Sequence, residues 1–273
     1  MLLLCIIGLL LSTGCRDIYD NSPQPYQAVL TQAWNNSYYA ESQEPNYEDN
    51  IIYNDCLEVH YSYCYRKNDS LRYFKQTNSS SDWEFITHGE MTNGVGAKTI
   101  RLTVSNPSED FNNPPQSTIT YDLLSATGDW LGGESTGVIE NHKNIIIHNP
   151  RVGFFRAAFS SPWPAVKFPI SEHKSWEWSF SYDSRMYGDE RLLSWDGVIR
   201  MEYKYKYIGE EVLDLRFGSV QTSVFSATGT SGTINNRLIY HFNTKLGFVK
   251  LEFITSDGAV IILEAINYRN KCE

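Results

Sequence analysis

The stretch Ile199-Arg200-Met201-Glu202-Tyr203-Lys204-Tyr205-Lys206-Tyr207 alternates without a break. Ile199, Met201, Tyr203, Tyr205 and Tyr207 fall on one side of an extended chain, and Arg200, Glu202, Lys204 and Lys206 on the other, which is the period of a half-buried strand. One aromatic and one charged face is the pattern of an antiparallel sheet with one side in water. From here to the C-terminus, Val198–Glu210, Val212–Phe217, Val220–Ala227, Arg237–Phe242, Phe248–Thr255 and Ala259–Asn267 read as successive strands. Asp257-Gly258 suits a type I′ hairpin turn, and Thr228–Gly232 and Asn243–Gly247 make two more reversals. Ala259–Ile266 is apolar on both faces except at Glu264, so that strand is expected to be central or covered.

Upstream the same β pattern continues. Ile51–Tyr65, Leu71–Gln76, Trp83–Thr87, Lys98–Val104, Thr118–Leu124, Asn144–His148, Gly153–Phe159, Ala165–Phe168 and Ser175–Tyr182 are expected strands. No long segment has a helical period. The fold class is therefore all-β: a single antiparallel meander, shaped as a curved half-barrel or a β-sandwich.

The N-terminus reads differently. Leu2 to Leu11 is apolar and uncharged and ends in Ser12-Thr13-Gly14-Cys15, after which the composition turns polar. The run is shorter than the roughly 20 residues that span a bilayer and fits the apolar region of a signal peptide. It resembles the lipobox signal of bacterial lipoproteins. That resemblance implies cleavage before Cys15, a diacylglycerol on its sulfur and an acyl group such as palmitate on its new amino group. Residues 1–14 would be the signal peptide, 15–50 the lipidated cysteine and a polar tether, and 51–273 the β domain. The resemblance also implies attachment to the membrane of the bacterial cell envelope, the outer rather than the inner one, with the domain in the periplasm or at the cell surface.

With 23 basic and 32 acidic residues the net charge is −9, which repels phosphate backbones and argues against nucleic acid as a partner. Beyond Cys5 and Cys15 there remain Cys56, Cys64 and Cys272. A strand between Cys56 and Cys64 would hold their sulfurs some 26 Å apart, at about 3.3 Å per residue. Cys272 reaches either one if the first and last strands are neighbours.

Motifs for catalysis are weak. Gly133-Glu134-Ser135-Thr136-Gly137 has the spacing of a nucleophile elbow but lacks the strand-to-helix setting, and reads as a small flexible loop. Gly94 to Thr99 lacks the glycine directly before the lysine that a phosphate loop needs. Ser171-Glu172-His173-Lys174 lacks the companion motif of penicillin-binding enzymes. His60, His88, His142, His148, His173 and His241 show no local zinc spacing. Neither an enzyme, a metal site nor a cofactor is expected.

Aromatic density points to binding instead. Of 18 Tyr, 13 Phe and 7 Trp, Phe154 to Trp178 holds seven aromatics broken by Pro162, Pro164 and Pro169, which confine such a stretch to a sheet edge or a covering loop. Trp163, Trp176, Trp178, Tyr203 and Tyr205 are the candidate ligand-binding residues, with plain packing of the core as the other reading of the same aromatics. The lipid signal, tether and antiparallel meander together resemble the LolA/LolB-like lipoprotein half-barrels. That resemblance implies a curved sheet around an apolar cavity for acyl chains, with Met201, Tyr203, Tyr205 and Tyr207 facing inward. Two other partners fit the composition: a glycan, if the tryptophans are exposed, or another envelope protein.

Overall fold

The computed structural model describes residues 50–77, 82–92, 94–105, 117–183 and 197–272. The signal peptide, Cys15 and nearly all of the tether lie outside the described residues. Along the chain run β1 (Leu57–Lys67), β2 (Ser70–Gln76), β3 (Trp83–Ile86), α1 (His88–Thr92), β4 (Thr99–Ser105), β5 (Ser117–Leu124), β6 (Trp130–Glu140) and β7 (Asn144–Ile147). A 3-10 helix (Gly153–Ala158) follows, then β8 (Ala165–Lys167), β9 (Ser175–Asp183), β10 (Val198–Leu215), β11 (Gly218–Ser231), β12 (Ile234–Asn243), β13 (Gly247–Ile254) and β14 (Ala259–Asn270).

These strands form one antiparallel sheet in the order β8-β7-β6-β5-β4-β1-β14-β13-β12-β11-β10-β9, with β2 and β3 as a flap off β1. The expected all-β class holds, with the sheet curved but not closed into a barrel. Two meanders, β4 to β8 and β9 to β14, flank β1, which joins them by pairing with β4 on one side and β14 on the other. β14 is accordingly central, as its two apolar faces require. The sheet's two edges, β8 and β9, are neighbours in sequence, so the chain leaves one edge at Lys167 and re-enters at the other at Ser175.

Cys56 and Cys272 form a disulfide across the β1–β14 pair, with Cα atoms 5.3 Å apart. The first and last strands are thus tied at their ends, and the register sets Leu57 opposite Asn270.

β10 alternates as its sequence demands. Met201, Tyr203 and Tyr205 are buried, whereas Lys204 and Lys206 are exposed. The two strands expected over Val198–Glu210 and Val212–Phe217 are one, with a bulge between Tyr207 and Gly209 that keeps the ladder to β11 running.

Four expectations need correcting. Thr228–Ser231 is not a reversal but the end of β11, paired with β10 and β12, and the chain turns only after Ser231. Ile51–Cys56 is not part of β1: it is a bend and turn held by Glu140, whose carboxylate accepts the backbone N–H groups of Ile51, Ile52 and Tyr53 at 2.7–3.3 Å. Gly133–Gly137 is the middle of β6 and not a flexible loop, because its weak strand propensity is overridden by pairing with β5 from Ser117↔Val138 to Asp122↔Gly133. Gly153–Phe159 is not a strand. Gly153 takes φ +57°, and Phe154 and Phe155 are both buried in a 3-10 turn against Tyr63 and Phe74 of β1 and β2.

Candidate functional site

Residues 148–164 cross the concave interior of the sheet before the chain enters β8. Away from the ladder their backbone carbonyls need donors, since a buried carbonyl left without one costs about as much as a lost hydrogen bond. Tyrosines supply them. Tyr121 donates to the carbonyl of His148 at 2.9 Å, Tyr203 to Ser160 at 3.1 Å, Tyr205 to Trp163 at 3.1 Å, and Tyr240 to Ala165. Asn149 adds its amide, which donates to the carbonyls of Ala158 and Ser161 at 2.9 and 3.1 Å. Asn236 donates to the Ser160 hydroxyl at 3.0 Å. Gly229 of β11 makes room for this crossing: a Cβ there would sit 2.6 Å from the Tyr203 ring and 3.3 Å from Pro162.

All five expected ligand-binding residues come together, and all are buried, none more than 9% exposed. Trp176 stacks on Tyr205 at 5.0 Å with rings 4° from parallel. Trp178 packs on Tyr203 at 5.6 Å and edge-on to Trp163 at 4.9 Å. Trp163 lies inside despite its flanking prolines, because the loop that carries it is folded into the interior, with Pro162 and Pro164 also buried.

A pocket opens where this crossing segment meets edge strand β9. His148, Asn149, Arg151, Phe159, Trp163, Phe180 and Tyr182 line about 90 Å³ of space. Trp163 borders it, while Trp176, Trp178, Tyr203 and Tyr205 pack elsewhere in the aromatic cluster. Phe180 meets Trp163 at 5.2 Å and Phe159 meets Tyr182 at 5.0 Å.

The polar side of the pocket comes from His148, Asn149 and Arg151, two of which are held by β6. The Nδ1 of His148 is hydrogen-bonded to the Thr136 hydroxyl at 2.6 Å. Desolvation first, and the nearby Arg151 charge second, hold the His148 pKa down to about 3, so the ring is neutral at physiological pH. Arg151 Nε lies 3.5 Å from Glu134, whose carboxylate also accepts the Arg151 backbone N–H. Burial raises the Glu134 pKa against the pull of Arg151. Arg151 is therefore the one cation among the lining residues, and its guanidinium lies 5.7 Å over the Phe159 ring.

Sequence reasoning missed Arg151, Phe180 and Tyr182, which meet only because the chain crosses the interior. Ser135 lies on the outer face of β6, bonded to Thr120 at 2.9 Å, in the middle of a strand that runs from Trp130 to Glu140 and on no turn that could lift it as a nucleophile elbow does.

No family model matches the chain, and no curated protein matches it. Among solved structures it is similar to a protein described as exported, with a YmcC-like fold, from Bacteroides fragilis. The identity is 9% and the TM-score 0.40, over 80% of this chain and 98% of that one. It is also similar to a protein described as a lipoprotein from Parabacteroides distasonis, at 8% identity and TM-score 0.38 over 80% and 97%. The hypothetical lipoprotein YmcC from Escherichia coli follows, at 10% identity and TM-score 0.31 over 88% and 99%. These are loose overlaps, and nothing about a ligand or partner of this chain rests on them.

Proposed function

We propose that this chain is a lipid-anchored protein of the bacterial envelope that holds a small ligand, apolar with an acidic group, in the pocket between residues 148–163 and β9. The pocket carries the reading: aromatic walls from Phe159, Trp163, Phe180 and Tyr182 surround one guanidinium, Arg151, whose Nε lies 3.5 Å from Glu134, beside a neutral histidine. Such a surface favours an apolar body with one negative end. At about 90 Å³ the space lies well below the roughly 300–1,000 Å³ of pockets for drug-sized ligands, so a long acyl chain of a membrane lipid does not fit beside the crossing segment.

The anchor is supported by the Leu2–Leu11 run and Cys15, and the Cys56–Cys272 disulfide suits an oxidising compartment outside the cytosol. Metabolic labelling with a fatty acid tests it: wild type carries label and Cys15→Ser does not. Equal labelling of both would remove the anchor from the account.

Titration with octanoate tests the pocket through tryptophan emission, since Trp163 borders it. Saturable quenching in wild type, weakened roughly tenfold or more in Arg151→Gln, is expected when a dominant charge contact is lost. No saturable quenching, or equal quenching in both, contradicts the pocket. Tight one-to-one palmitate binding would instead favour a carrier whose interior opens.

A further inference from the structure

The glycan partner considered from the sequence requires exposed tryptophans, and Trp163, Trp176 and Trp178 are buried. Trp130, the first residue of β6, is 62% exposed and lies on the outer face of the sheet. An exposed indole would ordinarily sample several rotamers, but this one is fixed. Its Nε1 donates to Asp122 Oδ1 at 2.8 Å. Asp122 is itself nearly buried and held by Arg101, whose Nη2 and Nε donate to Oδ2 at 2.8 and 3.3 Å.

The neighbouring residue types fit this arrangement. Gly133 is paired with Asp122, and a Cβ there would come within 2.6 Å of Asp122 Oδ1 and 3.4 Å of Trp130 Nε1. The absence of a side chain at Gly133 therefore lets the indole and its carboxylate anchor lie against the strand. Two residues further along the same face, Thr120 and Ser135 add a pair of exposed hydroxyls 2.9 Å apart. Arg101 spends two of its five N–H groups on Asp122, and its side chain is 35% exposed.

We infer that Trp130, with Arg101, Asp122, Thr120 and Ser135, forms a surface site for a neutral pyranose glycan. A sugar ring needs a flat apolar surface for its C–H face and polar groups at the rim for its hydroxyls. A preoriented indole provides the first without an ordering cost at binding. The remaining guanidinium N–H groups of Arg101 and the hydroxyls of Thr120 and Ser135 provide the second, while Asp122 holds the indole and the guanidinium in place; because Asp122 and Arg101 neutralise each other the site discriminates little for or against charge. This site is on the opposite side of the sheet from the pocket and does not depend on it.

The test is native affinity electrophoresis of the full-length chain through gels containing hydroxyethyl cellulose, glycogen, galactomannan or xyloglucan. The site predicts retardation by at least one of them, with affinity reduced roughly tenfold or more in Trp130→Ala and largely kept in Trp130→Phe, which retains an aromatic face. Circular dichroism of each variant confirms that the fold is intact, and if Trp130→Ala does not fold, Ser135→Ala and Thr120→Val supply the comparison, with weaker retardation expected. Migration unaffected by all four polysaccharides overturns the inference. So does equal retardation of wild type and the variants.

Discussion

The hydroxyl of Tyr205 donates to the carbonyl of Trp163 at 3.1 Å and so ties the middle of β10 to a segment that crosses the sheet's interior outside the ladder. Tyr203 does the same for Ser160, and Tyr240 donates to the carbonyl of Ala165, where the segment enters β8. The tyrosine-rich concave face therefore binds the protein's own chain. Three strands, β10 and β12 by these bonds and β5 through Tyr121, hold one irregular segment in place.

Removing one such hydroxyl leaves a buried carbonyl without that donor. Tyr205→Phe and Tyr203→Phe should each lower stability by about 1–3 kcal/mol, read as a shift of the urea midpoint with an unchanged slope. A cost near zero in both would mean that water replaces the hydroxyls and that the segment is not tied in this way.

Gly229→Ala brings a methyl to within 2.6 Å of the Tyr203 ring, which is itself fixed by Ser160 and by the Tyr182 hydroxyl 2.9 Å away. Overpacking of this kind costs about 1–3 kcal/mol. Combining it with Tyr203→Ala should recover part of the loss, and a strictly additive double variant would show that the two do not meet.

Much of this architecture was legible in sequence, because alternation reports facing directly. Met201, Tyr203 and Tyr205 point inward and Lys204 and Lys206 outward, as the period of two dictates. β6 was not legible: Gly132 to Gly137 has little strand propensity, and only the ladder to β5 makes it a strand. The site was half legible. The five expected aromatics do cluster, yet their hydroxyls serve partners far away in sequence, such as Tyr203–Tyr182 and Tyr205–Trp163, separated by 21 and 42 residues, which no local pattern encodes. Arg151 carried no signal at all, since its meaning comes from Phe159, Trp163 and Phe180 around it.

The Cys56–Cys272 bond closes a loop with a sequence separation of 216 residues. Its removal by Cys272→Ser should cost about 2–5 kcal/mol, mainly by freeing the unfolded chain. Thermal unfolding with and without the substitution reads this. An unchanged midpoint would show that pairing of β1 with β14 alone fixes the ends.

Acid should destabilise the fold in a defined window. Desolvation lowers the pKa of His148 to about 3 and of His241 to about 4, both from 6.5. The unfolded chain takes up these protons first, so stability is full above pH 6.5 and falls as pH drops toward the folded values. The slope is at most about 1.4 kcal/mol per pH unit for each histidine, and smaller for His148 because its ring is half-buried and borders the pocket. Glu134, raised by burial, acts in the opposite sense and blunts the fall. Urea unfolding at a series of pH values should show His241→Gln with a shallower dependence than wild type; parallel curves would exclude His241 as a source.

The amides of Phe155, Phe159 and Ser161 are bonded within the crossing segment, to the carbonyls of Val152, Arg156 and Ala158. Native-state hydrogen exchange at these three positions measures whether the segment is core or a displaceable plug. If it is core, they exchange only with global unfolding, at the same rate with and without phospholipid, and Tyr205→Phe speeds them only by its effect on global stability. Fast local exchange in the free protein, or exchange accelerated by added phospholipid, would show that the interior empties to receive a lipid and would contradict the account.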